Sequence, residues 1–125
     1  MRDALRITRA PTRKEKTKDS ELGFGSVFTD HMFVMGFQDE KGWYDPRIEP
    51  YGPFALDPAT AVLHYGQGLF EGLKAFRGKD GRIRLFRPQK HIERLNKTAR
   101  RMCIPPVDPD LALKSFTTLV DVDRD

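Results

Sequence analysis

The segment from Leu63 to Gly78, LHYGQGLFEGLKAFRG, brings together residue types that could do chemistry: a tyrosine, a glutamate, a lysine, two phenylalanines and four glycines. Such a mixture suits the wall of an active site, but it also suits a helix that leads into a strand. Tyr65 falls on the apolar face of the predicted helix, where packing in a core is its more common role. The residues alone therefore favour packing at this position.

A second candidate is a row of cations on one face of a later predicted helix. The row consists of Lys90, Arg94, Lys97 and Arg101. Charges spaced along a helix face most often form a solvated surface. The spacing alone therefore favours solvent exposure over a binding site for an anion.

Metal and thiol chemistry find little support in the sequence. His31, His64 and His91 are about thirty residues apart, and no arrangement of His, Cys and acids matches the ligand spacing of a metal cage. Cys103 is the only cysteine, so no disulfide can form within the chain, which fits a reducing cytosol. We expect no metal site, and we expect Cys103 to be a packed thiol rather than a nucleophile.

The basic charge of the chain is concentrated at its N-terminus. The 125 residues carry a formal charge of +4, and residues 1–18 hold seven Lys and Arg against two acids. The remaining residues hold fifteen Lys and Arg against sixteen acids. We therefore predict a mobile, solvated basic leader at 1–20 and one modest domain at 21–125. A nucleic-acid-binding surface, which needs basic charge on the folded part, is disfavoured.

No segment has the composition of a membrane span or a secretory signal. No apolar run approaches the length of about eighteen residues that a spanning helix needs, and the N-terminus lacks the apolar segment of a signal peptide. The N-terminal arginines are compatible with a mitochondrial transit peptide, but Asp3, Glu15 and Asp19 count against one. We therefore expect a cytoplasmic location.

The first half of the predicted domain is rich in strand formers and prolines. The segment Ser26–Gln38 carries apolar residues on both faces, which predicts a strand covered on both sides. The sequence DEKG at 39–42 predicts a turn. The segment that follows contains Pro46, Pro50 and Pro53. Prolines at this density favour an edge strand or an irregular segment over a central strand.

The second half is predicted to consist of helices around a hairpin. Asp57-Pro58 is typical of a helix start, and the apolar spacing extends that helix to Phe70. Asp80-Gly81 predicts the turn of a hairpin. Two further helices are predicted, from Pro88 to about Met102 and from Asp108 onward. Their predicted inner faces are Ile92, Leu95, Ala99 and Met102 in the first, and Leu113, Phe116 and Val120 in the second. These elements predict a soluble α/β domain.

Three segments together resemble the branched-chain amino acid aminotransferases: FGSVFTDHMFVM, LHYGQGLFEGLKAFRG and RLFRPQKHIERLN. The patterns HYG…FEG and R.F…H..RL are shared by the wider group of fold type IV enzymes, which use pyridoxal 5′-phosphate (PLP). The segments FTDHM, GW..P.I.P and CIP resemble the bacterial branched-chain enzymes more narrowly. The resemblance runs from Leu22 to Asp125. It implies a small α+β N-terminal domain, with an antiparallel-rich sheet and flanking helices.

The resemblance also implies roles for four residues. Arg94 matches the arginine that binds the PLP phosphate, for which the planar guanidinium is well suited. Phe24 and Phe70 match aromatic walls of the pocket for a branched aliphatic side chain. Tyr65 matches a tyrosine that reaches the active site of the neighbouring subunit, which implies a homodimer.

The same resemblance implies that catalysis needs a lysine from outside these residues. In the family, the Schiff-base lysine lies in a second and larger domain, about a hundred residues further on. None of the nine lysines here matches it: Lys14, Lys16, Lys18, Lys41, Lys74, Lys79, Lys90, Lys97 and Lys114. We therefore expect an incomplete N-terminal domain that is inactive by itself and carries no catalytic residue of its own.

The activity implied for the complete enzyme is transamination. Leucine, isoleucine or valine would react with 2-oxoglutarate to give a branched 2-oxo acid and glutamate. Two alternatives remain open. One is a non-catalytic interaction domain that pairs with a full-length aminotransferase subunit. The other is a small phosphate- or nucleic-acid-binding protein that uses the basic leader.

Overall fold

A computed structural model of the chain describes residues 4–124, with the side chain of Asp19 left out. It contains short strands and helices of the α+β class, with antiparallel pairing in both sheets, as the sequence predicts. The elements are β1 (Arg6–Ile7), a 3-10 turn (Asp19–Glu21), β2 (His31–Gln38), β3 (Gly42–Pro50), α1 (Ala61–Tyr65), β4 (Ala75–Arg77), β5 (Ile83–Leu85), α2 (Pro88–Arg101) and α3 (Pro109–Val122). No helix in this range is long and apolar enough to cross a membrane.

The described residues form two compact units. The first unit contains the residues up to Pro53 together with those from Ser115 onward, and the second contains Phe54–Lys114. In the first unit the strand order is β1-β3-β2, in which β2 and β3 are antiparallel and β1 is parallel to β3. The predicted turn at 39–42 is confirmed, since it joins β2 to β3.

The proline-rich segment is predicted to be an edge strand or irregular. This prediction is wrong, because the segment forms β3, which lies between β1 and β2. The prolines lie where the ladder does not need their missing N–H groups. Pro46 falls at the register shift between Val34 and Gly36 of β2, and Pro50 is the last residue of the strand. On its other side, within the described part of the chain, β3 pairs with the short strand β1. Bulges and strand ends are the positions at which a sheet tolerates proline.

A buried histidine joins the N-terminal residues, the sheet and the end of α3 within the first unit. The Nδ1 atom of His31 lies 2.6 Å from Oδ1 of Asp123, and its Nε2 accepts a hydrogen bond from the N–H of Ala10 at 2.8 Å. The N–H of Thr8 donates to the carbonyl of Ile48, which is fully buried. Residues 6–10 therefore contact the sheet, and a mobile leader at 1–20 stays a prediction.

The second unit confirms the hairpin and changes the first helix. β4 and β5 pair antiparallel across a turn in which Gly81 has a φ of +75°. Asp57 closes a turn by accepting the N–H of Ala59 at 2.7 Å, but helix α1 begins only at Ala61 and ends at Tyr65. Gly66 stops it in the left-handed conformation, so the predicted extension to Phe70 is wrong.

Helices α2 and α3 begin where the sequence predicts them. Asp108 caps α3, since its Oδ1 accepts the N–H of Leu111 at 2.8 Å. The deepest positions of α3 are the small residues Ala112 and Ser115 together with Val122, whereas the predicted inner residues are only half-buried. The predicted inner face of α3 is therefore displaced around the helix.

Cys103 is exposed, so the prediction of a packed thiol is wrong. It follows α2 with a φ of +55°, and the N–H of Ile104 reaches back to the carbonyl of Ala99 at 2.9 Å. This is the hydrogen bond of a Schellman C-cap, in which the left-handed residue lies outside the helix. The cap turns the Cys103 side chain toward solvent.

Candidate functional site

A carboxylate, a guanidinium and an imidazole meet in the second unit. Glu71 accepts two hydrogen bonds from Arg94: Nε donates to Oε2 at 2.6 Å, and Nη2 donates to Oε1. The Nδ1 atom of His91 lies 2.9 Å from the same Oε1. We call these three residues the Glu71 cluster. It is the place in the second unit where the structure joins a sequence-predicted site residue to other titratable groups.

Local structure explains why these side chains converge. His91 and Arg94 lie three residues apart on α2, so they project from the same side of the helix. Pro88 begins this helix with its ring at the first position, where a missing N–H costs nothing. Glu71 comes from the non-helical segment between α1 and β4, which exists because Gly66 ends α1 early.

The hydrogen bonds fix the charges of Glu71 and Arg94. The bonds from the Arg94 guanidinium lower the pKa of Glu71 from 4.5 to about 2, and the bond from His91 acts in the same direction. Glu71 is therefore ionised at neutral pH. Because an ionised carboxylate can only accept, Nδ1 of His91 is the donor in their contact. The paired carboxylate in turn raises the pKa of Arg94, which stays cationic.

One edge of the Arg94 guanidinium stays open. Glu71 occupies the edge formed by Nε and Nη2, and Nη1 has no hydrogen-bond partner in the part of the chain that the structure describes. The Arg94 side chain is 63% exposed, whereas that of Glu71 is only 10% exposed. A guanidinium carries five N–H donors in a planar fork, and a phosphate supplies matching acceptor oxygens. The donor set of Arg94 therefore fits a phosphate group such as that of PLP.

The three predicted aromatic residues are highly exposed. Tyr65 and Phe70 belong to the second unit and are 86% and 83% exposed, and Phe24 belongs to the first unit and is 101% exposed. Phe70 directly precedes Glu71 in the chain. The prediction that Tyr65 packs in a core, which the residues alone favour, is therefore wrong. The roles of Phe24, Phe70 and Tyr65 in substrate binding stay predictions.

Sequence reasoning missed two members of the cluster. Glu71 lies in the quoted FEG motif but has no assigned role, and His91 counts only as one of three scattered histidines. The spacing of His91 and Arg94 at i and i+3 is a usable signal, since it places them on one helix face. Nothing local reveals that Glu71, 23 residues before Arg94, is their shared acceptor.

Comparison with known proteins finds relatives that match nearly the whole chain. No protein-family model matches it. It is 54% identical over 112 residues to branched-chain-amino-acid transaminase 1 of Bacillus subtilis strain 168. This match covers 90% of the chain and 32% of that protein. The chain is also 49% identical over 124 residues to branched-chain-amino-acid aminotransferase 2 of the same organism. This match covers 99% of the chain and 34% of that protein.

The similarity extends beyond bacteria. A mitochondrial branched-chain-amino-acid aminotransferase of Saccharomyces cerevisiae is 42% identical over 120 residues, which cover 96% of the chain and 30% of that protein. Over nearly its whole length, the chain is similar to branched-chain aminotransferases. It spans about a third of the length of the curated relatives it matches.

Proposed function

We propose that the chain is the N-terminal part of a PLP-dependent branched-chain amino acid transaminase. The substrates would be leucine, isoleucine or valine with 2-oxoglutarate, and the products a branched 2-oxo acid and glutamate. The similarity of nearly the whole chain to branched-chain transaminases, at 54% and 49% identity, carries this proposal. The same relatives motivate the assignment to fold type IV.

Arg94 would hold the cofactor phosphate. Bound PLP would supply the electron sink that transamination requires, and the protein would supply binding and orientation. The open Nη1 side of Arg94 offers charge-assisted donors to phosphate oxygens, while the other edge stays on Glu71. Phosphate binding by this exposed, permanently charged side chain requires no proton transfer.

The aromatic residues would shape the substrate pocket. Phe24 and Phe70 would form apolar walls that exclude water from a branched side chain, and Tyr65 would reach the active site of a neighbouring subunit in a homodimer. Their high exposure supports this proposal, because rings that the described residues leave uncovered are available to substrate or to another subunit. The catalytic lysine would come from a second domain, and the enzyme would work in the cytoplasm.

Assay of the complete protein that contains this chain tests the proposal. With PLP, leucine and 2-oxoglutarate, we expect leucine-dependent formation of glutamate far above that of free PLP. A polypeptide of only these 125 residues is the control and should be silent, since none of its lysines matches the catalytic one. A complete protein without this activity, or an active 125-residue polypeptide, would contradict the proposal.

Arg94→Ala tests the assigned phosphate contact in the complete protein. Loss of charge-assisted hydrogen bonds should weaken PLP binding by about 10- to 150-fold. Arg94→Lys should recover only part of the affinity, because an ammonium keeps the charge but lacks the planar fork. Lys97→Ala and Arg101→Ala serve as matched controls. Titration followed by the visible absorbance of bound PLP measures each affinity, and equal losses in all three alanine variants would indicate a diffuse basic surface instead.

A further inference from the structure

We propose that Glu71 is a positioning residue that holds the guanidinium of Arg94 with its open side ready for the cofactor phosphate. The inference rests on the proposed function, since it assumes that Arg94 binds this phosphate. Glu71 would not touch the cofactor. It would act only through Arg94, by fixing the plane and direction of the guanidinium before the phosphate arrives.

The geometry of the pair supports this role. A carboxylate that accepts from both Nε and Nη2 determines the orientation of the guanidinium plane, whereas a single hydrogen bond would let it rotate. The contact uses the side of Arg94 nearest its aliphatic stem and leaves the outer Nη1 free within the described residues. One guanidinium can therefore keep Glu71 and accept a phosphate at the same time.

The difference in burial shows which partner holds the other. The carboxylate of Glu71 is only 10% exposed, and a third hydrogen bond from His91 fixes it at 2.9 Å. The Arg94 side chain is 63% exposed and would otherwise populate many rotamers. Ordering a long side chain at the moment of binding costs affinity, and a side chain that is already ordered avoids this cost.

The sign of the effect separates this inference from simple electrostatics. If Glu71 acted only through its charge, the carboxylate would repel the phosphate, and removing the charge would strengthen PLP binding. If Glu71 positions Arg94, removing the charge should weaken PLP binding. Repulsion between charges is also screened by salt, whereas loss of orientation is not.

The experiment measures PLP affinity of the complete protein after Glu71→Gln, at 0.15 M and about 1 M salt. The neutral amide keeps the shape but cannot accept equally from Nε and Nη2. We expect affinity to fall roughly 3- to 30-fold at both salt concentrations. Affinity for pyridoxal, which lacks the phosphate, should not change. Glu93→Gln, the same substitution at an exposed acid on α2 that pairs with Lys90, is the matched control.

A double-mutant cycle with Arg94→Ala shows whether Glu71 acts through Arg94. In the Arg94→Ala background, Glu71→Gln should alter PLP affinity less than about twofold. Glu71→Asp, which keeps the charge but is one methylene shorter, should also weaken PLP binding and serves as the second variant if Glu71→Gln fails to fold. Thermal unfolding of each cofactor-free variant identifies those that fold.

Three outcomes would overturn the inference. Glu71→Gln could bind PLP as tightly as or more tightly than the unmodified protein, or its effect could persist undiminished in the Arg94→Ala background, or pyridoxal binding could fall in parallel with PLP binding. Failure of the proposed function has a different signature, because it shows as a complete protein without transaminase activity, whatever the result of the affinity cycle.

Discussion

At the scale of single residues, Glu71 makes the stability of the protein depend on pH in a defined window. Its pKa in the folded chain is about 2, against an ordinary value of 4.5, because Arg94 and His91 hydrogen-bond its ionised form. A lowered folded-state pKa stabilises the protein fully above the unfolded pKa. This stabilisation is lost as the pH falls from about 5 toward 2. Because Arg94 is largely exposed, solvent screening limits the size of this stabilisation.

Glu71→Gln should therefore lower the thermal unfolding midpoint of the cofactor-free protein at pH 7, and the difference from the unmodified protein should shrink below about pH 4.5. Unfolding followed by circular dichroism from pH 7 to pH 3 measures both proteins in parallel. Glu93→Gln should show little difference at any pH, since Glu93 is exposed on the surface of α2. A constant difference across the whole range would mean that Glu71 is not the titrating group.

Arg94 and Glu71 differ in how far the sequence predicts them. Arg94 emerges from a resemblance that assigns its role, and its exposure agrees with a place outside the apolar face of α2. The contact of Glu71 cannot be predicted from the sequence, because its partner Arg94 lies 23 residues away and no periodicity links a loop residue to a helix residue. Pairs of this kind become visible only when the chain has folded.

At the scale of elements, Asn96 joins α2 to the loop that precedes α3. Its side-chain amide donates to the carbonyl of Val107 and accepts the N–H of the same residue, each at 2.9 Å. Asn96 is buried, and its side chain satisfies both the N–H and the carbonyl of Val107, as a backbone partner would. This double contact mimics a strand pair and fixes where the chain turns before α3 starts at Pro109.

Asn96→Ala should loosen this turn in the complete protein. Leaving half-buried backbone groups without partners costs about 1–3 kcal/mol, and amide exchange of Val107 should accelerate about 5- to 140-fold. Hydrogen exchange measured by NMR or mass spectrometry on the loop after α2 gives the readout. Lys97→Ala, one residue further on and exposed, is the control. Unchanged protection of Val107 in Asn96→Ala would show that other contacts hold the loop.

Elements with strong local sequence signals are predicted correctly, whereas features that depend on contacts with other parts of the chain are not. Asp108-Pro109 and Asp80-Gly81 specify a helix start and a hairpin turn through their own backbone preferences. Strand β3 becomes central because a two-residue strand pairs beside its prolines, which local rules do not foresee. The inner face of α3 shifts to small residues because packing, rather than hydrophobicity alone, selects the positions of closest approach.

Across the chain as a whole, several aromatic rings that a core would normally cover are exposed. They are Phe24, Phe70, Phe86 and Tyr65, each more than 70% exposed. Within the proposed function, a second domain and a second subunit would cover such surfaces.

A polypeptide of only these 125 residues should therefore self-associate in solution. Exposed aromatic side chains gain free energy when they leave water, and large apolar patches on a protein surface typically mark sites of association. We expect light scattering to detect dimers or larger species whose proportion rises with concentration. Replacing Phe24 and Phe70 together by serine should shift the population toward monomer, whereas replacing the exposed Lys97 by serine should not. A monomer that persists across a wide concentration range would show that these rings do not drive association.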